Sequence, residues 1–263
     1  MTPVVLPAQI FDPPLLAPSA TGLYSHVNWQ QVGDPYRAFM RAGIIIRPHN
    51  YDGGLGVWGA GWCADPNNPG DLKTGNRPNI DSLAPFVPET VYGFDHDYCG
   101  LMDTVSLQEV RDRARHNLEL NEGNAAERQF AARMLTDAPS PPAVSDIQEA
   151  VGQLEAALAE TGTVGYIHAN PFWASQVWGL VLGNAPGPFH TPLGHTWVFG
   201  GGYVEGLGNT LVATSQVFGW RGDPQFNEAF QHDADDAFEQ FIAVAERSVL
   251  LGYEKLVAAV HIS

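Results

Sequence analysis

The sequence predicts an α+β fold, with separated helices set against mostly antiparallel strands, on three observations. The stretch 106–137 is the longest with helical spacing and no proline. Short apolar segments at 164–169, 196–199 and 211–217 are each bounded by glycine, proline or polar residues, as strands are. No internal repeat and no shift of composition marks off an independent unit, so helices and strands are expected to share one body.

At the start, Pro3, Pro7, Pro13, Pro14 and Pro18 alternate with Val4, Leu6, Ile10, Phe11, Leu15 and Leu16. Proline at that density excludes a helix or a central strand, and the apolar residues argue against a solvated tail. An extended arm lying on another surface satisfies both; a partly ordered leader is the alternative. A short helix is expected over 29–41, ended by Gly43, followed by a strand of Ile44, Ile45 and Ile46 closed by Pro48.

From 50 to 88 turn residues dominate, in Asp52-Gly53-Gly54, Gly59-Ala60-Gly61, the run 65–70 and Gly75-Asn76-Arg77-Pro78. Between them sit Leu55, Val57, Trp58 and Trp62. So long a connection without helix usually has a task, and it reads as a protruding β-hairpin or loop that meets a partner. A strand over 86–94 should come after it.

In the run 106–137, Ser106 and Glu109 match a capping box, and Leu107, Val110, Ala114 and Leu118 recur at three- and four-residue steps. Arg111, Asp112, Arg113, Arg115, Glu119, Glu122, Glu127, Arg128 and Arg133 form the ionic face. The stripe resumes at Ala126, Phe130 and Met134 after a weak point at Gly123, where two shorter helices are the alternative. Unbroken, the helix is about 45 Å long. Ser145-Asp146 with Glu149 starts a second helix to about Glu160, stopped by Gly162. Asn170-Pro171 is expected to open a third helix through Leu182. The run 211–217 reads as one strand, 231–236 as an acidic loop or short helix, and 238–251 and 256–262 as apolar runs.

The chain has 263 residues, with 13 Lys and Arg against 29 Asp and Glu, a formal charge of -16. Such a surface repels phosphate backbones and anionic membranes, which argues against direct nucleic-acid binding. The 28 glycines and 20 prolines point to many turns. Cys63 and Cys99 read as two free thiols rather than a disulfide. Neither a cationic, apolar leader nor a run of about eighteen apolar residues is found, so neither cleaved secretion nor membrane spanning is expected.

Catalytic signatures are missing. Gly54, Gly56 and Gly59 match the dinucleotide pattern in letters, but the next residues, Ala60-Gly61-Trp62-Cys63-Ala64-Asp65-Pro66, cannot begin a helix of useful length. The pyrophosphate would have no helix N-terminus to meet. Asp95, His96, Asp97 and Cys99, with Cys63, are metal-ligand types, yet no paired CxxC supports a site and a hydrogen-bonded turn is the better reading. No cofactor and no metal are expected. His190 and His195 read as satisfied or exposed, and Trp58 and Trp62, set among glycines, as interface aromatics.

From 151 onward the wording resembles tailed-phage major capsid proteins of the Hong Kong 97 type, a fold also used by encapsulin shells. Gly165 to Trp173, Thr191-Pro192-Leu193-Gly194-His195, Val212 to Val217 and Ala245-Glu246-Arg247 before a final apolar strand carry the resemblance. The last is similar to actinobacterial phage subunits. The first half agrees in layout. The resemblance implies an N-arm (1–40), an extended loop (41–85), a peripheral domain with a spine helix (86–162 and 241–263) and an axial domain (163–240).

It also implies a virion protein without enzymatic activity. Its subunits would form pentamers and hexamers of an icosahedral shell around double-stranded DNA, assembled in the host cytoplasm; an encapsulin-like compartment or a minor virion protein is the alternative. The implied partners are a separate scaffold, unless a leader has been removed, a portal and decoration proteins. Assembly contacts are assigned to Phe11, Leu15, Leu55, Trp58, Trp62 and Lys73. Lys73 and Lys255 are the only lysines, so nothing beyond the place of Lys73 supports cross-linking.

Overall fold

The computed structural model describes residues 13–30, 42–59, 61–62, 64–73, 84–98, 104–177, 179, 181–183, 188–233 and 238–263. Its elements in chain order are β1 (Asn28–Trp29), β2 (Glu89–Tyr98), α1 (Thr104–Asp137), β3 (Ala143–Val144), α2 (Ile147–Glu160), β4 (Tyr166–Ala169), β5 (Phe189–His190), β6 (Thr196–Phe199), α3 (Tyr203–Gly206), β7 (Thr210–Thr214), β8 (Val217–Arg221), β9 (Gln225–Asp233), β10 (Phe238–Tyr253) and β11 (Leu256–Ile262).

Helix α1 has 34 residues, about 51 Å at the usual rise. Its apolar stripe is buried where the spacing puts it, at Val110, Ala114, Leu118, Ala126, Phe130 and Met134. The helix starts before Ser106, so Ser106 and Glu109 lie inside its first turns and do not cap it. Two letters three apart suit a cap and a helical turn equally, and only the backbone decides between them. Gly123 does not break the helix. Leu118, Glu122 and Ala126 are buried on either side of it, and that packing outweighs the roughly 1 kcal/mol propensity cost of glycine.

The strands form two sheets. One has the order β1-β8-β10-β2, with β9 also on β10; only β1 and β8 are parallel. The 16-residue β10 pairs β2 along one edge, and along the other pairs β9 and then β8. The second sheet has the order β3-β11-β7-β4-β6-β5, parallel at β3/β11 and β4/β6. Helix α1 covers one face of the first sheet through Val110 and Ala114 on Phe241 and Ala243, and Leu118 on Val91 and Ala245. Gly93 makes this possible, because a Cβ there would overlap the α1 backbone at Leu118. Helix α2, capped by Asp146 at 2.9 Å from the Glu149 N–H, lays Leu154 and Leu158 on Ile167, Leu211 and Val260 of the second sheet.

Between the two sheets a shared core joins Leu23, Phe130, Met134, Val198, Tyr203, Val212, Val217, Leu250 and Tyr253. The chain crosses from one sheet to the other at Ser215-Gln216 and again at Glu254-Lys255. Ser215 N–H donates to the Lys255 carbonyl at 2.8 Å, and Ser215 Oγ accepts from Glu254 N–H at 2.9 Å and Lys255 N–H at 3.1 Å. The run 211–217, expected as one strand, is therefore two strands in two sheets.

Other expectations also change. Trp29 lies in β1 rather than in a helix, and 31–41 lie outside the described residues. Ile44 makes a single antiparallel bridge to Phe86 instead of a three-residue strand. The third helix is only a 3-10 turn, Pro171–Trp173, capped by Asn170. Helix cannot run to Leu182 because Leu182 bridges His190 and Gly183 takes φ +130°. Of the stretch 231–236, residues 231–233 continue β9 and pair with the first residues of β10, while 234–236 lie outside the described residues.

Candidate assembly surface

The loop leaves the body as two legs, joined where Ile44 and Phe86 exchange backbone hydrogen bonds of 2.8 Å. Phe86 packs edge-on to Tyr253 with ring centroids 5.1 Å apart, beneath the Arg133 guanidinium at 4.1 Å. Arg133 also donates to the carbonyls of Ala84 and Pro85. Beyond these anchors residues 52–59 are all exposed. Leu55 and Val57 stand 98% and 100% exposed, and Trp62 is fully exposed.

Trp58, at 44%, is half covered by its own loop. Its indole N–H donates to the Asp71 carbonyl at 2.9 Å, and Lys73 Nζ lies 4.6 Å above its ring. Asp71 also accepts from Asp65 N–H, and Asn68 accepts from Gly70 N–H in the turn Pro69–Asp71. The loop thus holds its own shape through polar contacts and turns its apolar side chains outward. Covering each of those side chains is worth about 1.5–3 kcal/mol. Of the residues assigned to assembly, the structure brings Trp58 and Lys73 together.

Leu15 is exposed at 78%, with Leu16 beside it, while Phe11 lies outside the described residues. The chain is then pinned beneath α1 by two carboxylates the sequence places on the solvent face. Glu127, 1% exposed, accepts from Leu23 N–H at 2.6 Å and Gly202 N–H at 2.9 Å. Burial raises its pKa, and these two donors oppose the rise. Glu122 accepts from Tyr24 hydroxyl at 3.1 Å and Arg247 at 2.9 Å. Helical spacing marks which residues share a face with Arg111 and Arg128; it does not mark that distant N–H groups will seek a carboxylate there.

On β2, Val91 and Gly93 meet α1, so Tyr92 and Phe94 face away and are exposed, with Phe94 stacked on His96 at 6.4 Å. The sequence carried a signal for this face: the glycine between Tyr92 and Phe94 marks the side a helix approaches. Val57 and Leu16 are further exposed apolar residues beyond those assigned. Asp95 pairs with Arg113 at 2.6 Å on the face opposite His96, so the two do not converge, and Cys63 and Cys99 lie outside the described residues.

His195 is buried, its Nδ1 accepting from Gly165 N–H, and burial lowers its pKa against a smaller opposite effect of Glu155. The arginines of α1 are engaged, Arg111 with Glu228, Arg115 with Asp112, Arg128 with Glu205 and Arg133 with Asp137. A groove of about 510 Å³ along the 138–142 linker, α2 and β11 is lined, among the described residues, by alanine, proline, serine, glutamine and valine, with no titratable side chain.

No protein-family model and no curated protein matches the sequence. Solved structures match its fold. The capsid of the native GTA particle is 12% identical with a TM-score of 0.52, covering 98% of this chain and 95% of that one. Microbacterium phage Oxtober96 gives 10% identity and a TM-score of 0.48 over 99% and 96% of the two chains. The holo-SrpI encapsulin complex of Synechococcus elongatus gives 12% and 0.44 over 69% and 76%. The near full-length GTA match shows that the chain has the Hong Kong 97 type capsid fold, as the resemblance implied.

Proposed function

We propose that the chain is a structural virion protein, a major capsid subunit that self-assembles into pentamers and hexamers of an icosahedral shell around double-stranded DNA. The observation that carries this reading is the sharing of a capsid fold over almost the whole of both chains. The exposed Leu55, Val57 and Trp62 support it, because a loop that presents apolar side chains on a polar framework gains free energy only against a partner. In this reading residues 1–40 are the arm and 41–85 the loop. Residues 86–162 and 241–263, with α1 as the spine, are the peripheral domain, and 163–240 are the axial domain around which capsomers close.

The charge of -16 and the paired arginines of α1 suit a container whose wall does not grip its cargo. No catalysis is assigned. A scaffold and a portal are the partners to be expected, decoration proteins are further candidates, and assembly belongs in the host cytoplasm.

Negative-stain microscopy of the purified subunit, alone and with a co-expressed scaffold, tests the proposal. Closed shells, or rings of five and six, are expected. A monodisperse monomer under every condition would overturn it.

A further inference from the structure

At the root of the loop the chain makes contacts that fix direction as well as position. Strand β10 ends at Tyr253, and the next two residues carry the chain across to the other sheet. Both of their side chains turn back onto the loop. The buried Glu254 carboxylate accepts from Asn50 backbone N–H at 2.5 Å and from Asn50 Nδ2 at 2.8 Å. Lys255 Nζ reaches both carboxylate oxygens of Asp52, at 2.7 and 3.0 Å.

Between these points Tyr51 is buried, with its hydroxyl 3.0 Å from Thr163 Oγ1. Asp52 has φ +60°, the left-handed region, and among the described residues it is the only non-glycine there. Aspartate tolerates this conformation better than most residues, but an outlier persists only where its surroundings over-determine it. Immediately after it the chain passes into the exposed 53–59 stretch.

We propose that Glu254 and Lys255 are positioning residues that aim the loop, fixing the direction in which it leaves the body and tying that direction to the crossing between the two sheets. The inference rests on the reading of the loop as an intersubunit element. A single contact leaves a chain free to swing about it. The Glu254 carboxylate on Asn50 and the Lys255 ammonium on Asp52, each making two contacts, grip loop positions two residues apart and remove that freedom. Ser215 holds the same two residues through their backbone N–H groups, so any shift between the sheets is delivered to Asn50 and Asp52. Local sequence serves the same end: adjacent opposite charges at 254 and 255 each find their own partner two residues apart on the loop.

The test compares Glu254→Ala, Lys255→Ala and Lys255→Arg with wild type in three readouts. These are the thermal midpoint of the unassembled subunit, hydrogen exchange of amides 50–52, and the yield of closed shells. Lys255→Ala should shift the midpoint by no more than a few degrees, because the ion pair with Asp52 is partly exposed. Its exchange over 50–52 should rise about tenfold or more, with a several-fold loss of shells. Lys255→Arg should restore both. Glu254→Ala should free Asn50 N–H most; if that variant does not fold, the Lys255 pair still decides.

Unchanged exchange in Lys255→Ala would overturn the clamp. Faster exchange with full shell yield would overturn its role in assembly. If the wild type itself forms no shells, the capsid reading fails, and the exchange arm still judges the clamp independently.

Discussion

Replacing His168 by glutamine is expected to make the subunit less sensitive to acid. His168 lies on β4, fully buried, with Nδ1 2.9 Å from the Tyr203 hydroxyl and Nε2 2.8 Å from Thr214 Oγ1. The Thr214 hydroxyl donates to the Ser215 carbonyl at 2.9 Å, so its oxygen accepts from Nε2–H, and Tyr203 then donates to Nδ1. The neutral imidazole satisfies both neighbours. A second proton would face a donor.

Burial, and to a smaller degree His26, lowers its pKa from 6.5 to about 3. The unfolded chain therefore takes up this proton first. The stability due to His168 is fully present above its unfolded value and falls as the pH drops through the interval down to its folded value. At about 1.4 kcal/mol per pH unit, roughly 2 kcal/mol is lost by pH 5 and about 4 kcal/mol by pH 3, where the folded histidine itself begins to take up the proton. Glutamine keeps a donor and an acceptor and does not titrate. In urea unfolding of the unassembled subunit at about pH 7.5 and pH 5, wild type should lose about 2 kcal/mol more than His168→Gln, since other titrating groups cancel in the difference. Equal losses would refute the neutral, doubly bonded histidine.

Gly202→Ala places a Cβ onto the Asn124 carbonyl of α1 and 2.7 Å from Glu127 Cβ, so a loss of about 3 kcal/mol or more is expected by calorimetry. Gly152→Ala on α2, with nothing within 4 Å, should instead gain about 0.5–1 kcal/mol. Deleting 53–70 should leave a subunit with native circular dichroism that forms no stable shells; shells of normal yield would remove the loop from assembly. Trp62→Ser should leave the melting temperature of the lone subunit within about 1 °C, because the ring has no burial to lose, and should lower shell yield in sedimentation.

Much of the backbone was legible because local periodicity and local contacts agree. In α1 the stripe from Val110 to Met134 and in α2 the Asp146 cap with Leu154 and Leu158 are decided within a few residues of chain, and both appear as the spacing requires. The exposed Leu55, Trp58 and Trp62 were legible for a related reason: glycine and proline on every side leave no element in which to bury them. Misreadings arose where a distant partner overrides local preference. Glu122 and Glu127 belong to the charged face by sequence, but Arg247, Tyr24, Leu23 and Gly202 come from far along the chain to meet them.

The boundary between the two kinds of information runs through Ser215. By itself the sequence determined an α+β chain with an amphipathic stripe over 106–137, an acidic surface and a loop whose apolar side chains sit among turn residues, since composition and spacing act without regard to the rest of the fold. Only the tertiary structure decided that 211–217 is divided between two sheets, that Leu256–Ile262 sits beside β7 and β3, and that Glu254 and Lys255 hold the root of the loop. These are pairings between segments tens to hundreds of residues apart. Their free energy comes from complementary surfaces that exist only once both partners have formed.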